Sequence, residues 1–182
     1  NGAMVAMIGG EVTAVRALAA ECGVDVANLN APGQIVLSGA AEGIEKAAAL
    51  SKERGIKRGI VLPVAGAYHS RLMASAQEKL ASVLAGATIQ SPAVPVVSNF
   101  EAAPVLEPDA IRAALTSQVT GSVRWVESMQ WLIAQGHQLF IELGPDATLA
   151  GLMGKIDKSV KVISIKDAAT LEAAVAELVS SS

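Results

Sequence analysis

Six short segments between residues 3 and 64 switch between two hydrophobic periods, and their order leaves few folds open. Residues 3–9 (Ala-Met-Val-Ala-Met-Ile-Gly) are a short apolar run, which predicts a strand. Residues 11–22 carry Val12, Val15, Leu18 and Ala19 at helical spacing, predicting a helix with those four on its inner face. Residues 24–30 predict a second strand, Ala31-Pro32-Gly33 a turn, and residues 34–39 (Gln-Ile-Val-Leu-Ser-Gly) a third strand. A helix over 41–54 is expected to end at Gly55 as its C-cap, ahead of a fourth strand over 57–64. The order is β-α-β-β-α-β, the ferredoxin-like arrangement of split βαβ units. It predicts a four-stranded antiparallel sheet with two helices on one face.

From about residue 71 the pattern changes to an alternating α/β one. Helices are predicted over 71–86, 108–118 and 122–135. Residues 94–98 (Val-Pro-Val-Val-Ser) predict an edge strand, because Pro95 has no N–H for a ladder. Residues 138–143 (Gln-Leu-Phe-Ile-Glu-Leu) predict a short buried strand stopped by Gly144-Pro145, with Asp146 capping a helix that runs to about Ile156. Residues 161–165 predict another strand and 168–179 a last helix, leaving residues 180–182 as a loose tail. Strands that alternate with helices imply a parallel sheet. The expected class is therefore α/β, divided at 1–64 and 65–182.

Composition narrows what such a chain does. Of its 182 residues 52% are hydrophobic and only 3% aromatic, so the core must come from Ala, Val, Leu and Ile. Net charge is −3 and there are few rings to stack bases on, which argues against a nucleic-acid partner. A single cysteine, Cys22, excludes an internal disulfide and any multi-cysteine metal site, and it reads as inert. The two histidines, at 69 and 137, are too far apart in sequence to suggest a metal cluster. No apolar run is long enough for a membrane helix, so no membrane partner and a cytoplasmic location are expected. The start, Asn1-Gly2-Ala3-Met4, has no signal pattern and reads as a cut inside a larger protein.

Four separated phrases carry a resemblance. They are Asn28-Leu29-Asn30-Ala31-Pro32-Gly33-Gln34; Gly66-Ala67-Tyr68-His69-Ser70 with Leu72-Met73; Gln118 with Val123-Arg124-Trp125; and Glu142-Leu143-Gly144-Pro145 with Leu149, Gly151 and Leu152. In this order they resemble malonyl-CoA:acyl carrier protein transacylases of fatty-acid synthesis and the acyltransferase domains of polyketide synthases, over essentially the whole chain. The resemblance implies a ferredoxin-like subdomain (1–64) inserted in a larger α/β-hydrolase-like subdomain, whose C-terminal portion would be residues 65–182. The nucleophile half of that family, with its Gly-His-Ser-x-Gly elbow and malonyl-binding arginine, has no counterpart in the 182 residues. It is expected to precede Asn1. The chain alone is expected to be inactive and to associate through uncovered apolar surface.

The resemblance further implies malonyl transfer from CoA to the phosphopantetheine thiol of an acyl carrier protein, with no cofactor beyond the CoA thioester substrate. His69 would be the general base, suited by an imidazole's neutral-range titration. A backbone carbonyl at Gln118 would fix its tautomer. Tyr68, where phenylalanine is usual, would crowd an α-methyl branch and favour malonyl over methylmalonyl. Asn30 would touch substrate, although Asn before Pro-Gly also suits a turn by itself. His137 is expected only to close a helix, and Trp125 and Trp131 to pack. Arg71 replaces the usual proline after His-Ser and reads as an exposed helix-start cation. Lys52, Arg54, Lys57 and Arg58 form a basic group that reads as solvated, with carrier docking as the other option. Two further classes remain open from the residues: a non-catalytic module that binds a carrier protein or serves as a scaffold, and a thioester hydrolase of similar architecture.

Overall fold

Alternation of Met4, Val5, Ala6 and Met7 puts Val5 and Met7 on one face of the first strand, and both are fully buried in the computed structural model, which describes residues 2–180. That strand, β1 (Gly2–Ile8), is followed by α1 (Val12–Cys22), β2 (Asp25–Ala31), β3 (Gln34–Ala40), α2 (Ala41–Leu50) and β4 (Arg58–Val61). The strand order is β2-β3-β1-β4, and every pairing is antiparallel. Val5, Met7, Leu37, Val15, Leu18 and Ile44 form the core between the sheet and α1 and α2. Met4, Ala27 and Val36 cluster on the opposite face. Element order here is as the sequence predicts.

Three details differ. Val12 is 42% exposed, because α1 begins there and its inner stripe starts one turn later at Val15. The second helix stops at Leu50 rather than 54: the buried Ser51 hydroxyl donates back to the Ala48 carbonyl at 2.8 Å, and residues 52–54 tighten into a 3₁₀ turn. Gly55 ends that turn at φ +75°, where a side chain would be strained. The fourth strand stops at Val61, just ahead of Pro63, which has no N–H to continue a ladder.

After β4 a 3₁₀ turn (Arg71–Met73) leads into α3 (Ala74–Gly86), then β5 (Val96–Val97), β6 (Pro104–Val105) and α4 (Pro108–Gln118). The strand expected over 94–98 is only two residues long. It pairs with β6, which the sequence does not announce, across a turn where the Ser98 hydroxyl accepts the N–H groups of Phe100 and Glu101. Residues 122 and 123 then dock on the outer edge of β2. The Val123 N–H donates to the Ala27 carbonyl and the Leu29 N–H to the Val123 carbonyl, both at 2.8 Å, and the Ser122 hydroxyl donates to the Val26 carbonyl.

These bonds keep residues 65–128 with the first sheet. The chain divides into two compact units between Ser128 and Met129, within α5 (Trp125–Ala134).

The second unit contains β7 (Leu139–Leu143), α6 (Thr148–Ile156), β8 (Lys161–Ile165) and α7 (Ala168–Ser180). β7 and β8 pair in parallel, as alternation predicts. β7 is not the buried strand expected: Leu139, Ile141 and Leu143 are exposed, and Glu142 is its one buried residue. Asp146 does not cap α6, whose N-cap is Ala147 without a side-chain bond. The cap comes from across the turn. Glu142 accepts the Leu149 and Ala150 N–H groups at 2.8 and 3.0 Å and the Ser164 hydroxyl at 2.9 Å. Burial pushes this carboxyl up, but those three donors outweigh it and hold it below the usual carboxylate range. His137 follows Gly136 at the end of α5, and its N–H closes the helix on the Leu132 carbonyl at 3.2 Å. The tail expected at 180–182 begins with Ser180 as the last residue of α7; Ser181 and Ser182, like Asn1, lie outside the described residues.

Candidate active site

Leaving β4, the chain turns through Ala67, which is buried, and reaches His69 at φ +58°. A left-handed backbone is uncommon for a residue with a side chain. Locally it is held by Ser70, whose fully buried hydroxyl donates to the Ala67 carbonyl at 2.6 Å and accepts the Leu72 N–H at 3.3 Å. That commitment removes Ser70 as a nucleophile, although it is the serine next to the histidine in sequence.

The His69 ring is half-buried, and its Nδ1 lies 2.9 Å from the backbone carbonyl of Gln118. Gln118 is the last residue of α4, where carbonyls lack partners inside the helix. A carbonyl only accepts, so Nδ1 carries a proton, and in the neutral ring it is Nε2 that presents the lone pair. The hydrogen bond expected between this pair is therefore present. The Gln118 side chain turns back, its Nε2 donating to the Gly121 carbonyl at 2.9 Å and lying 3.4 Å from His69 Nδ1; its Oε1 is buried without a partner among the described residues.

Gly121 is needed at that spot. A Cβ there would sit 2.3 Å from the Phe100 ring and 2.9 Å from the Ser117 carbonyl. Gly121→Ala is expected to lower stability by about 2 kcal/mol through overpacking, read as a drop in urea midpoint. An unchanged midpoint would contradict the packing described.

Tyr68 is exposed, with its ring over Gly66, and its hydroxyl makes no hydrogen bond among the described residues. Asn30 lies within β2, not in the turn proper. The turn is Pro32-Gly33, with Gly33 at φ +69°. The β2–β3 register slips between Leu29 and Ala31, around Asn30, and its side chain bonds to none of Tyr68, His69 or Gln118. The structure thus brings together His69 and Gln118 and leaves Asn30 apart from that hydrogen-bonded pair.

One further pair was not legible in sequence. Asp25, at the start of β2, accepts the Arg71 N–H at 2.9 Å and its guanidinium through Nε at 3.0 Å and Nη2 at 2.6 Å. Burial pushes the Asp25 carboxyl up, but the Arg71 bonds outweigh it, and it lies below the usual range. In the basic group, Arg54 is taken by Glu21 through two hydrogen bonds of 3.0 and 2.8 Å. Burial pushes the Cys22 thiol up, in keeping with an unreactive residue. Among the described residues no group of His, Cys, Asp and Glu could hold a metal ion, and no helix is long and apolar enough to cross a membrane.

Residues 1–179 match the family described as acyl transferase domain, and the chain belongs to it. The chain is 43% identical over 183 residues to the malonyl CoA-acyl carrier protein transacylase of Bacillus subtilis (strain 168), covering 98% of this chain and 58% of that protein. Among solved structures it resembles the acyl-carrier-protein S-malonyltransferase of Burkholderia pseudomallei 1710b, with TM-score 0.92 and 42% identity over 96% of this chain and 58% of that one. It also resembles a chain of the complex of a type II PKS acyl-carrier protein with its malonyl-transacylase, with TM-score 0.94 and 34% identity over 97% of this chain and 58% of that one. The chain thus spans less than two thirds of the length of the relatives it matches.

Proposed function

We propose that this chain is the base-bearing part of a malonyl-CoA:acyl carrier protein acyltransferase. Residues 1–64 would form its ferredoxin-like subdomain and 65–182 the C-terminal portion of its α/β-hydrolase-like subdomain. The observation that carries the reading is the 2.9 Å bond from His69 Nδ1 to the Gln118 carbonyl, which leaves Nε2 free to take a proton. The names of the relatives support the substrate and the carrier partner.

In this reading a serine from a segment outside the 182 residues attacks the thioester carbon of malonyl-CoA. His69 Nε2 takes the hydroxyl proton as the bond forms. The tetrahedral intermediate collapses, the CoA sulfur leaves, and His69 returns the proton to it. In the second half His69 takes the proton of the phosphopantetheine thiol. The thiolate displaces the serine oxygen, and the proton goes back to serine. Asn30 and Tyr68 contact the substrate, no cofactor is consumed, and the reaction is cytoplasmic.

The test is transfer itself. Malonyl-CoA and the phosphopantetheinylated carrier are incubated with this chain, and separately with this chain plus the serine-bearing segment. A mass gain of one malonyl group on the carrier is expected only in the second mixture. No transfer from a folded, complete assembly would overturn the reading, and transfer by the chain alone would place the nucleophile within it.

Tyr68 provides a specificity test. Shortening it in the complete enzyme (Tyr68→Ala) is expected to raise methylmalonyl use relative to malonyl by about tenfold, the discrimination one methyl group allows. An unchanged ratio of kcat/KM values would remove Tyr68 from the acyl pocket.

A further inference from the structure

His69 sits at φ +58°, a conformation unfavourable for an L-residue that persists only where the surrounding structure holds it. The Ser70–Ala67 bond ties the loop only to itself. Beside the Gln118 bond itself, a second tie to the rest of the fold comes two residues after the histidine, at Arg71. Its backbone N–H and its guanidinium both reach the Asp25 carboxylate, at 2.9 Å and 2.6–3.0 Å. A guanidinium on a carboxylate fixes direction as well as distance. Here the same carboxylate also fixes the peptide plane between Ser70 and Arg71.

Asp25 has a neighbour with a matching task. Val26, the next residue of β2, accepts the Ser122 hydroxyl, four residues after Gln118, and Ala27 accepts the Val123 N–H at 2.8 Å. Adjacent residues of one strand therefore grip the two segments that meet in the His69–Gln118 bond. Asp25 holds the donor's segment and Val26 the acceptor's.

We propose that Asp25 and Arg71 are a positioning pair that sets the His69 ring against the Gln118 carbonyl. The pair reaches no reacting atom. It acts through the loop, and its role in catalysis rests on the reading of His69 as the base.

The test is nitrogen-resolved NMR of the imidazoles in this chain, with His137 as an internal reference on the other unit. The unaltered chain is expected to show one His69 tautomer with a slowly exchanging Nδ1 proton. Asp25→Ala removes both grips and is expected to speed that exchange by about tenfold and mix the tautomers, the loss of one charge-assisted bond network. Asp25→Asn can still accept the backbone N–H, and Arg71→Ala keeps it, so both should fall between. His137 signals should not move.

Unchanged His69 exchange in a folded Asp25→Ala chain overturns the proposal. If that variant does not fold, Arg71→Ala decides, since its side chain is 66% exposed and leaves no cavity; unchanged exchange there also overturns it. The readout needs no turnover. Loss of the base reading through an active His69→Ala enzyme would leave this result standing on its own.

Discussion

Replacing His69 by alanine in the complete enzyme is expected to lower malonyl transfer by about 10²- to 10⁴-fold, the range general-base catalysis supplies. The two half-reactions should not suffer equally. A serine hydroxyl does not ionise near neutral pH, so its attack on malonyl-CoA depends on Nε2. A phosphopantetheine thiol, with a pKa near that of cysteine at about 8.5, forms thiolate unaided as pH rises. Formation of the acyl-enzyme should therefore be the crippled step. Discharge of a preloaded acyl-enzyme should recover part of its rate between pH 7 and 9. Rapid-quench mass spectrometry of each half separates them. Near-normal acylation in His69→Ala would remove the histidine from the mechanism.

The second large effect is on stability. Glu142→Ala is expected to destabilise the second unit by about 3 kcal/mol, because two helix N–H groups and the Ser164 hydroxyl lose a charged acceptor. Glu142→Gln keeps shape and one acceptor oxygen, and should cost about half as much. The carboxyl titrates below its unfolded value near 4.3, so between the two values the unfolded chain binds more protons and stability rises with pH. The Glu142 contribution is then fully present above about pH 5. It is lost as pH falls through the folded value, and the gap between the native chain and Glu142→Gln should close in acid. Urea unfolding at pH 7 and pH 3.5, followed by Trp131 fluorescence in a Trp125→Phe background, reads both. Equal midpoints for Glu142→Ala and the native chain at pH 7 would show that the carboxylate does not hold α6.

Residues whose job is set by neighbours in sequence were legible, and those set by distant partners were not. The helix predicted at 108–118 coincides with α4, whose apolar period is a local signal. The order of the first four strands and two helices along the chain follows from local spacing. Val12 misled because periodicity gives a stripe but not where the stripe first meets the sheet. Leu139, Ile141 and Leu143 are apolar yet exposed, because the described residues cover only the side of β7 that carries Glu142. Asp146 had the residue type and place of a cap, yet a carboxylate arriving from β7 took that role. At the candidate site the histidine and its carbonyl partner came from a phrase-level resemblance. Asp25 could not be found that way, since it lies 46 residues from Arg71 and looks like any strand-start carboxylate.

Because the acceptor that orients His69 is a main-chain atom, its loss is not within reach of ordinary codon changes at position 118. Every one of the twenty residues brings the same oxygen. An alanine scan would pass over this contact and report position 118 as tolerant, apart from what the amide side chain does for Gly121. What can shift the oxygen is the length of the helix behind it, by insertion or deletion between Pro108 and Gln118, or replacement of the 118–119 amide by an ester, which weakens the carbonyl as an acceptor without moving it. Genetic drift in this region should accordingly leave the orientation of the imidazole intact far longer than drift at Asp25, where one base change can remove the carboxylate.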